Sequence, residues 1–113
     1  MSALDDIKKF DELMKRVTDW DVTVLPDPDI GTVRDKGSNT VLHYAATKFI
    51  EVLDHPDVSK VHDGCGATPL HWAAYRFIKA KRHPDFAKVQ DFSGKTPEDW
   101  VSARRSIFGA VVF

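Results

Sequence analysis

The stretch from Asp63 to Ala74 reads D-G-C-G-A-T-P-L-H-W-A-A and decides the fold of this chain. Related strings run from Asp35 to Ala46 (D-K-G-S-N-T-V-L-H-Y-A-A) and from Asp91 to Ser102 (D-F-S-G-K-T-P-E-D-W-V-S). Each string begins 28 residues after the one before it. A fixed period in this range is typical of repeat architectures, in which each unit packs only on its neighbours. The sequence therefore predicts an array of three units, 27–54, 55–82 and 83–110.

Each unit is predicted to form a turn followed by two short helices. The Asp-x-x-Gly sequence favours a tight turn, and the threonine after it can cap a helix by accepting from a first-turn amide. Proline at the first helical position needs no hydrogen bond and pre-sets φ, so helices are expected to begin at Pro69 and Pro97. The first unit is expected to hold its first helix at about 41–48. Second helices are expected at about 49–54 and 77–82, since a His-Pro dipeptide follows each and disfavours helix before the proline.

The two ends of the chain depart from the repeat. Apolar residues spaced by three and four predict an amphipathic helix over 4–17, and residues 1–26 are expected to form an N-terminal cap. Glu98 and Asp99 make the third unit more polar, which suits a C-terminal cap. The tail 107–113 (I-F-G-A-V-V-F) is apolar and is expected to fold over the last unit. The alternative for this tail is a docking or self-association edge.

Composition narrows the class of protein. The 113 residues are 42% apolar and 29% charged, which is the balance of one globular domain spanning 1–113. A net charge of −1 gives no bulk attraction to nucleic acid or membrane. The single cysteine, Cys65, excludes an internal disulfide framework and suits a reducing compartment. No apolar run approaches the roughly 20 residues of a bilayer span, and the N-terminus lacks the pattern of a signal peptide, so a cytoplasmic location is expected.

The string T-P-L-H-W-A-A after D-G-x-G resembles the signature of the ankyrin repeat, and the similarity covers residues 27–102. Ankyrin units are usually about 33 residues long. The shorter period here predicts short second helices and a tight turn between the two helices. The resemblance implies an all-α helical repeat stack, or solenoid, that binds another protein. It implies no catalysis and no cofactor.

Most candidate catalytic and metal-binding residues have a structural explanation in the repeat. Only His62 lies outside the pattern, and a lone histidine is weak evidence of a site. His43 and His71 share one position of the period, and the resemblance implies that each bonds to a neighbouring turn. Cys65 lies in a turn, and a nucleophilic thiol would need a free base beside it. The chain contains neither of the common glycine-rich phosphate-binding sequences. An enzyme and a metal site are therefore not expected.

The resemblance also places the partner-binding residues, because the turn tips and one face of the first helices of an ankyrin stack form a concave groove. Tyrosine, tryptophan and arginine dominate binding hot spots. The predicted partner-binding residues are Lys36, Asn39, Tyr44, Lys48, Cys65, Ala67, Trp72, Tyr75, Arg76, Phe92, Lys95, Trp100 and Arg104. Tyr44, Trp72 and Trp100 form an aromatic column at one position of the period. The alternative for these rings is that they fill space left by the shortened units.

Charge is distributed unevenly along the chain. Residues 1–30 carry eight acidic and four basic side chains, and residues 71–105 carry eight basic and four acidic ones. Such asymmetry can steer an acidic or dipolar partner, and it can favour head-to-tail contacts between copies.

The sequence thus favours a non-catalytic protein-binding module that acts as an inhibitor, decoy or adaptor, including a viral or bacterial inhibitor of a host factor. It is expected to be a monomer or a weak homo-oligomer through the tail. Two alternatives stay open. One is a binder of nucleotides or single-stranded nucleic acid that uses the tryptophan and arginine side chains. The other is a structural protein that self-assembles through the tail.

Overall fold

A computed structural model of the protein describes residues 3–108, with side chains from residue 5 to residue 102. This part of the chain is helical, and its only β-type pairing is an isolated bridge between Arg34 and Thr40. The α-helices are α1 (Ala3–Thr18), α2 (Val41–Ala45), α3 (Pro69–Arg76) and α4 (Pro97–Phe108). Three 3-10 helices cover Val22–Val24, Ile50–Asp54 and Ile78–Arg82. The all-α prediction is confirmed.

Threonine caps fix where the helices begin. The Thr40 hydroxyl accepts from the amide of His43, and the His43 ring accepts in return from the Thr40 amide. Thr68 and His71 make the same reciprocal pair at the start of α3. These caps satisfy first-turn amides that would otherwise lack a partner.

Helix α2 ends earlier than expected. It stops at Ala45 rather than near residue 48. The amides of Thr47 and Lys48 donate to carbonyls three residues back, and the Thr47 hydroxyl also bonds to the Tyr44 carbonyl. These bonds tighten the last turn, so the α-helix does not continue.

The 3-10 helices follow the 28-residue period. They begin at Val22, Ile50 and Ile78, and the third residue of each is buried. Two of them occupy the segments predicted to hold short second helices. The first, Val22–Val24, belongs to the N-terminal region that the sequence predicts only as a cap. That region therefore contains the same turn as the two units that follow it.

Consecutive helices pack on one another in chain order. Helix α1 contacts α2, α2 contacts α3, and α3 contacts α4. Leu13 on α1, Leu42 on α2 and Leu70 on α3 are fully buried in one continuous core. Burying a side chain of this size contributes about 1.5–3 kcal/mol. The described helices include none that is long and apolar enough to cross a bilayer.

The C-terminal end differs from the preceding units. The period places a third-unit turn at 105 and 106, yet α4 runs on through these positions to Phe108. The side chains of 107–113 and the backbone after 108 lie outside the described residues, and so does the predicted packing of this tail.

Candidate protein-binding surface

An aspartate in each turn bonds to an aromatic side chain nine residues later. The three pairs are Asp35 with Tyr44, Asp63 with Trp72 and Asp91 with Trp100. The indole nitrogens of Trp72 and Trp100 donate to aspartate Oδ2 over 3.2 and 3.0 Å, and the Tyr44 hydroxyl donates to its aspartate in the same way. Each turn is thereby tied to its following helix.

The same aspartates organise their turns. Asp91 Oδ1 accepts from the amides of Ser93 and Lys95 at 2.8 and 2.9 Å. Partial burial acts to raise the pKa of Asp91, but the Lys95 amide and the Trp100 indole outweigh it and hold the pKa below its usual value. The repeated aspartates therefore stabilise their turns and also hold the aromatic side chains of the following helices by hydrogen bonds.

The aromatic column is largely engaged in packing. The Tyr44 ring meets Phe10 and Trp72 edge-on, with centroids 6.2 and 5.5 Å away. The Trp100 ring lies 5.0 Å from the imidazole of His71 and 5.4 Å from the ring of Tyr75. All three column rings are half-buried. Much of each ring in the column is therefore packed against neighbouring side chains, and only part of it is accessible to a partner.

Two buried histidines link neighbouring turns. His43 Nε2 lies 2.9 Å from the carbonyl of Ala67, and His71 Nε2 lies 2.8 Å from the carbonyl of Lys95. Because each Nδ1 accepts from a threonine amide, each Nε2 carries the hydrogen and donates. Burial is the main cause that lowers the pKa of both histidines. They are structural links, as the resemblance implies.

The turn tips lie side by side. A Cβ placed on Gly64 would be 3.1 Å from the carbonyl of Gly37, so the first two turns approach closely. The amide of Phe92 donates to the carbonyl of Cys65 at 3.0 Å and joins the third turn to the second. The Cys65 side chain is exposed at this junction.

Phe92 is the most exposed large apolar side chain among the described residues. Its exposed fraction is 76%, and its ring stacks on His62 with a centroid distance of 6.3 Å. The ring also covers Gly66, where an added Cβ would lie 2.3 Å from it. An exposed ring fixed in place by a backbone bond and two neighbours is suited to contact a partner.

A pocket of about 290 Å³ adjoins the end of the aromatic column and is lined by Tyr75, Lys95, Asp99 and Trp100. Tyr75 is 41% exposed. The pocket combines two ring surfaces with one charge of each sign. We call the exposed turn and pocket residues the tip surface, and it consists of Lys36, Cys65, Tyr75, Phe92, Lys95 and Trp100.

The other residues predicted to bind a partner are not part of the tip surface. Ala67 is fully buried and only its carbonyl is used, so its side chain cannot contact a partner, and this part of the prediction is wrong. Asn39 bonds to Asp35 and Tyr44. Lys48 lies over the ring of Trp20 at 4.7 Å. Arg76 is exposed at the end of α3. The side chain of Arg104 lies outside those described.

Sequence reasoning missed three residues of this region. His62 supports Phe92, Asp99 lines the pocket, and Trp20 lies under Lys48. The period contains a signal for Trp20, which precedes Lys48 by 28 residues, and for Asp99, which follows His71 by 28 residues. His62 falls outside the repeated positions, and only the folded turns bring it to Phe92.

Within the described residues, no group of three or more histidine, cysteine or acidic side chains is arranged to hold a metal ion. Comparison of the chain with models of known protein families and with curated protein sequences gives no match.

Proposed function

We propose that this protein is a non-catalytic protein-binding module built from short ankyrin-like repeats, and that the tip surface contacts its partner. Support for the ankyrin-like part comes from the 28-residue period together with the threonine–histidine caps. His43 and His71 each cap their own helix and bond to the next turn. A module of this kind acts by occupying another protein's surface, as an inhibitor, decoy or adaptor.

The observation that carries the proposal is Phe92. Three quarters of the surface of this apolar ring is exposed to water. Burying it against another molecule would therefore be favourable. The hydrogen bond from the Phe92 amide to the Cys65 carbonyl positions its backbone, and its ring stacks on His62, so a partner would lose less entropy in fixing the ring. A rigid aromatic anchor is typical of a binding hot spot.

Exposed basic side chains occur in the first and third turns and at the end of α3. Lys36, Arg76 and Lys95 are exposed, and none of them takes part in the ion pairs of Lys9 and Arg16. Polar and charged rims around an apolar centre are usual for transient interfaces. We place the module in the cytoplasm, where the exposed thiol of Cys65 would stay reduced.

A nucleotide in the Tyr75–Trp100 pocket is the second candidate, since two rings and Lys95 line it. The Asp99 carboxylate at the same pocket opposes a phosphate, which favours the protein partner. Tryptophan fluorescence titrated with nucleotides and with short oligonucleotides separates the two functions. Quenching that saturates with a nucleotide would favour the second candidate.

The test is affinity capture from lysate of the source cells, followed by affinity measurements on the protein that is enriched. We expect Phe92→Ala and Tyr75→Ala each to weaken binding by about tenfold or more, since truncated hot-spot residues cost at least ~1.4–2 kcal/mol. Ile7→Ala is the matched control, because Ile7 is also apolar and 54% exposed but lies on α1. Unchanged affinity in both tip variants would rule out the tip surface as the binding site.

A further inference from the structure

The first residue of the third 3-10 helix is more exposed than the first residue of the second. Ile50 begins the second 3-10 helix, is half-buried, and lines a cleft of about 420 Å³ together with Lys79, His83 and Pro84 of the next unit. Ile78 occupies the same position of the third 3-10 helix and is 75% exposed. Equivalent side chains therefore have different environments.

Helix α4 explains the difference. By the period, a 3-10 helix beginning near residue 106 would lie beside Ile78 as the third 3-10 helix lies across the cleft from Ile50. Instead α4 continues as an α-helix to Phe108. The described chain therefore supplies no fourth 3-10 helix, and one face of the third remains open.

Charge reverses between these two 3-10 helices. The second reads I-E-V-L-D and the third reads I-K-A-K-R, so Lys79 and Arg82 stand where Glu51 and Asp54 stand one unit earlier. All four of these side chains line the cleft between the two helices. Within this molecule, two basic side chains therefore lie across an open cleft from two acidic ones.

The bases of the third 3-10 helix are left without direct partners. Its exposed side chains are Ile78, Lys79, Lys81 and Arg82, which we call the basic turn. The ion pairs of the described side chains all lie between residues 9 and 29, so none involves the basic turn. The open face thus combines one apolar side chain with three unpaired cations.

We propose that the basic turn binds an acidic segment of a partner protein, one in which carboxylates flank an apolar side chain that covers Ile78. The segment would supply the covering element that the third unit lacks, with the charge that the basic turn requires. This binding does not depend on the tip surface, since the two surfaces share no residue.

Charge favours this occupant over the alternatives. Residues 100–113 contain two arginines and no acidic side chain, so this segment does not complement the charge of the basic turn. Nucleic acid would find no aromatic ring in the basic turn for base stacking. A second copy could offer the acidic surface of α1, and the experiment distinguishes this case.

The experiment measures fluorescence anisotropy of a labelled helical peptide in which glutamates flank a central leucine. The peptide is titrated with the full-length protein at low and at physiological ionic strength. We expect binding that weakens as salt rises and that falls about tenfold or more in Lys79→Glu/Lys81→Glu. Ile78→Ser, or a serine in place of the leucine, should weaken binding about threefold to tenfold.

Matched controls make the result specific. Lys36→Glu/Lys60→Glu changes the net charge equally at two exposed lysines outside the basic turn, and Phe92→Ala removes the tip anchor. Neither control should change peptide affinity by more than about twofold. Circular dichroism melts should be unchanged in the control variants. In Lys79→Glu/Lys81→Glu they check that the fold is kept, because Lys79 lines the cleft with Glu51 and Asp54.

Four results would overturn the proposal. They are absence of peptide binding, an equal loss in the control variants, equal or tighter binding of an oligothymidylate of matched charge, and insensitivity to the apolar side chains. Light scattering without peptide tests the second copy. Self-association that Lys79→Glu/Lys81→Glu abolishes would assign the basic turn to contacts between copies instead.

Discussion

Gly66 and Gly94 occupy the same position of the period and share a backbone conformation, but only Gly66 is closely packed. Gly66 and Gly94 both have φ of +80°, which glycine adopts freely. Ser38 holds the same place in the first turn at φ +65°, so a side chain can be tolerated there. A Cβ on Gly66 would lie 2.5 Å from the backbone nitrogen of Phe92, whereas a Cβ on Gly94 would meet no atom within 4 Å.

Gly66→Ala should therefore destabilise the protein more than Gly94→Ala. We expect Gly94→Ala to lower the free energy of unfolding by about 1–2 kcal/mol, the cost of left-handed backbone. Gly66→Ala should cost about 2–4 kcal/mol, because it must also displace Phe92. Urea denaturation of the two variants measures both values. An equal decrease in the free energy of unfolding of both variants would mean that the close approach of Gly66 and Phe92 does not contribute to stability.

At the scale of elements, the threonine–histidine caps both begin a helix and connect it to the following turn. The Thr68 side chain is fully buried and stays paired because His71 returns its hydrogen bond. The same imidazole then reaches the Lys95 carbonyl of the next unit. Loss of the cap would expose first-turn amides and also loosen the ring that joins α3 to the following turn.

Thr68→Ala should lower the free energy of unfolding by about 1–2 kcal/mol, the usual cost of losing a threonine cap. The control is Thr32→Ala, whose exposed hydroxyl only bonds to the Asp29 carbonyl and should cost within about 0.5 kcal/mol. Chemical denaturation of both variants provides the comparison. If the two variants lose the same stability, the cap does not decide where α3 begins.

Much of the element order could be predicted from spacing alone. Helix α1 was expected over 4–17 and covers Ala3–Thr18, and the segments expected as short second helices are the 3-10 helices. The 3-10 hydrogen-bond pattern could not be predicted, because it depends on how the following His-Pro turn closes. The first 3-10 helix was missed because Val22–Val24 is only three residues long and because Asp27-Pro28 stands where the later units have His-Pro.

The candidate surface was predicted less well than the fold. The aspartate and aromatic columns were both visible in the sequence, but the bond between Asp63 and Trp72 requires the turn to fold back onto the helix. Burial of Ala67 was also hidden, since its role lies in a carbonyl that accepts from His43. Side-chain type predicts neither backbone hydrogen bonding nor which face of a turn is covered.

At the scale of the molecule, ion pairs within the N-terminal region increase the charge difference between the two ends. Near the N-terminal end, Lys9 bonds to Asp27 and Arg16 bonds to Asp21, over 3.2 and 2.9 Å. These bases are already used within the chain, so the exposed charge of α1 is mainly acidic. The basic turn has no such partners. The two ends of the molecule, whose longest dimension is 46 Å, therefore offer different charges to other molecules.

The buried histidines give the whole fold a pH dependence. Burial holds the pKa of His43 and of His71 below the ordinary histidine value of about 6.5, although the carbonyl that each ring meets acts in the opposite direction. The unfolded chain therefore binds protons more readily than the folded chain. Their contribution to stability is complete above pH ~6.5 and is lost as pH falls from there towards the lowered values.

We expect the free energy of unfolding to decrease by up to about 1.4 kcal/mol per pH unit for each histidine as pH falls below ~6.5. His71→Gln should lower stability at pH ~7.5 and should also reduce the slope, because one of the two groups is gone. Urea denaturation at intervals between pH ~7.5 and ~5 measures this slope. Carboxylates such as Asp91, whose pKa is lowered, lose their contribution only below pH ~4, so the two effects separate. Constant stability down to pH ~5 would contradict neutral, buried histidines as the links between units.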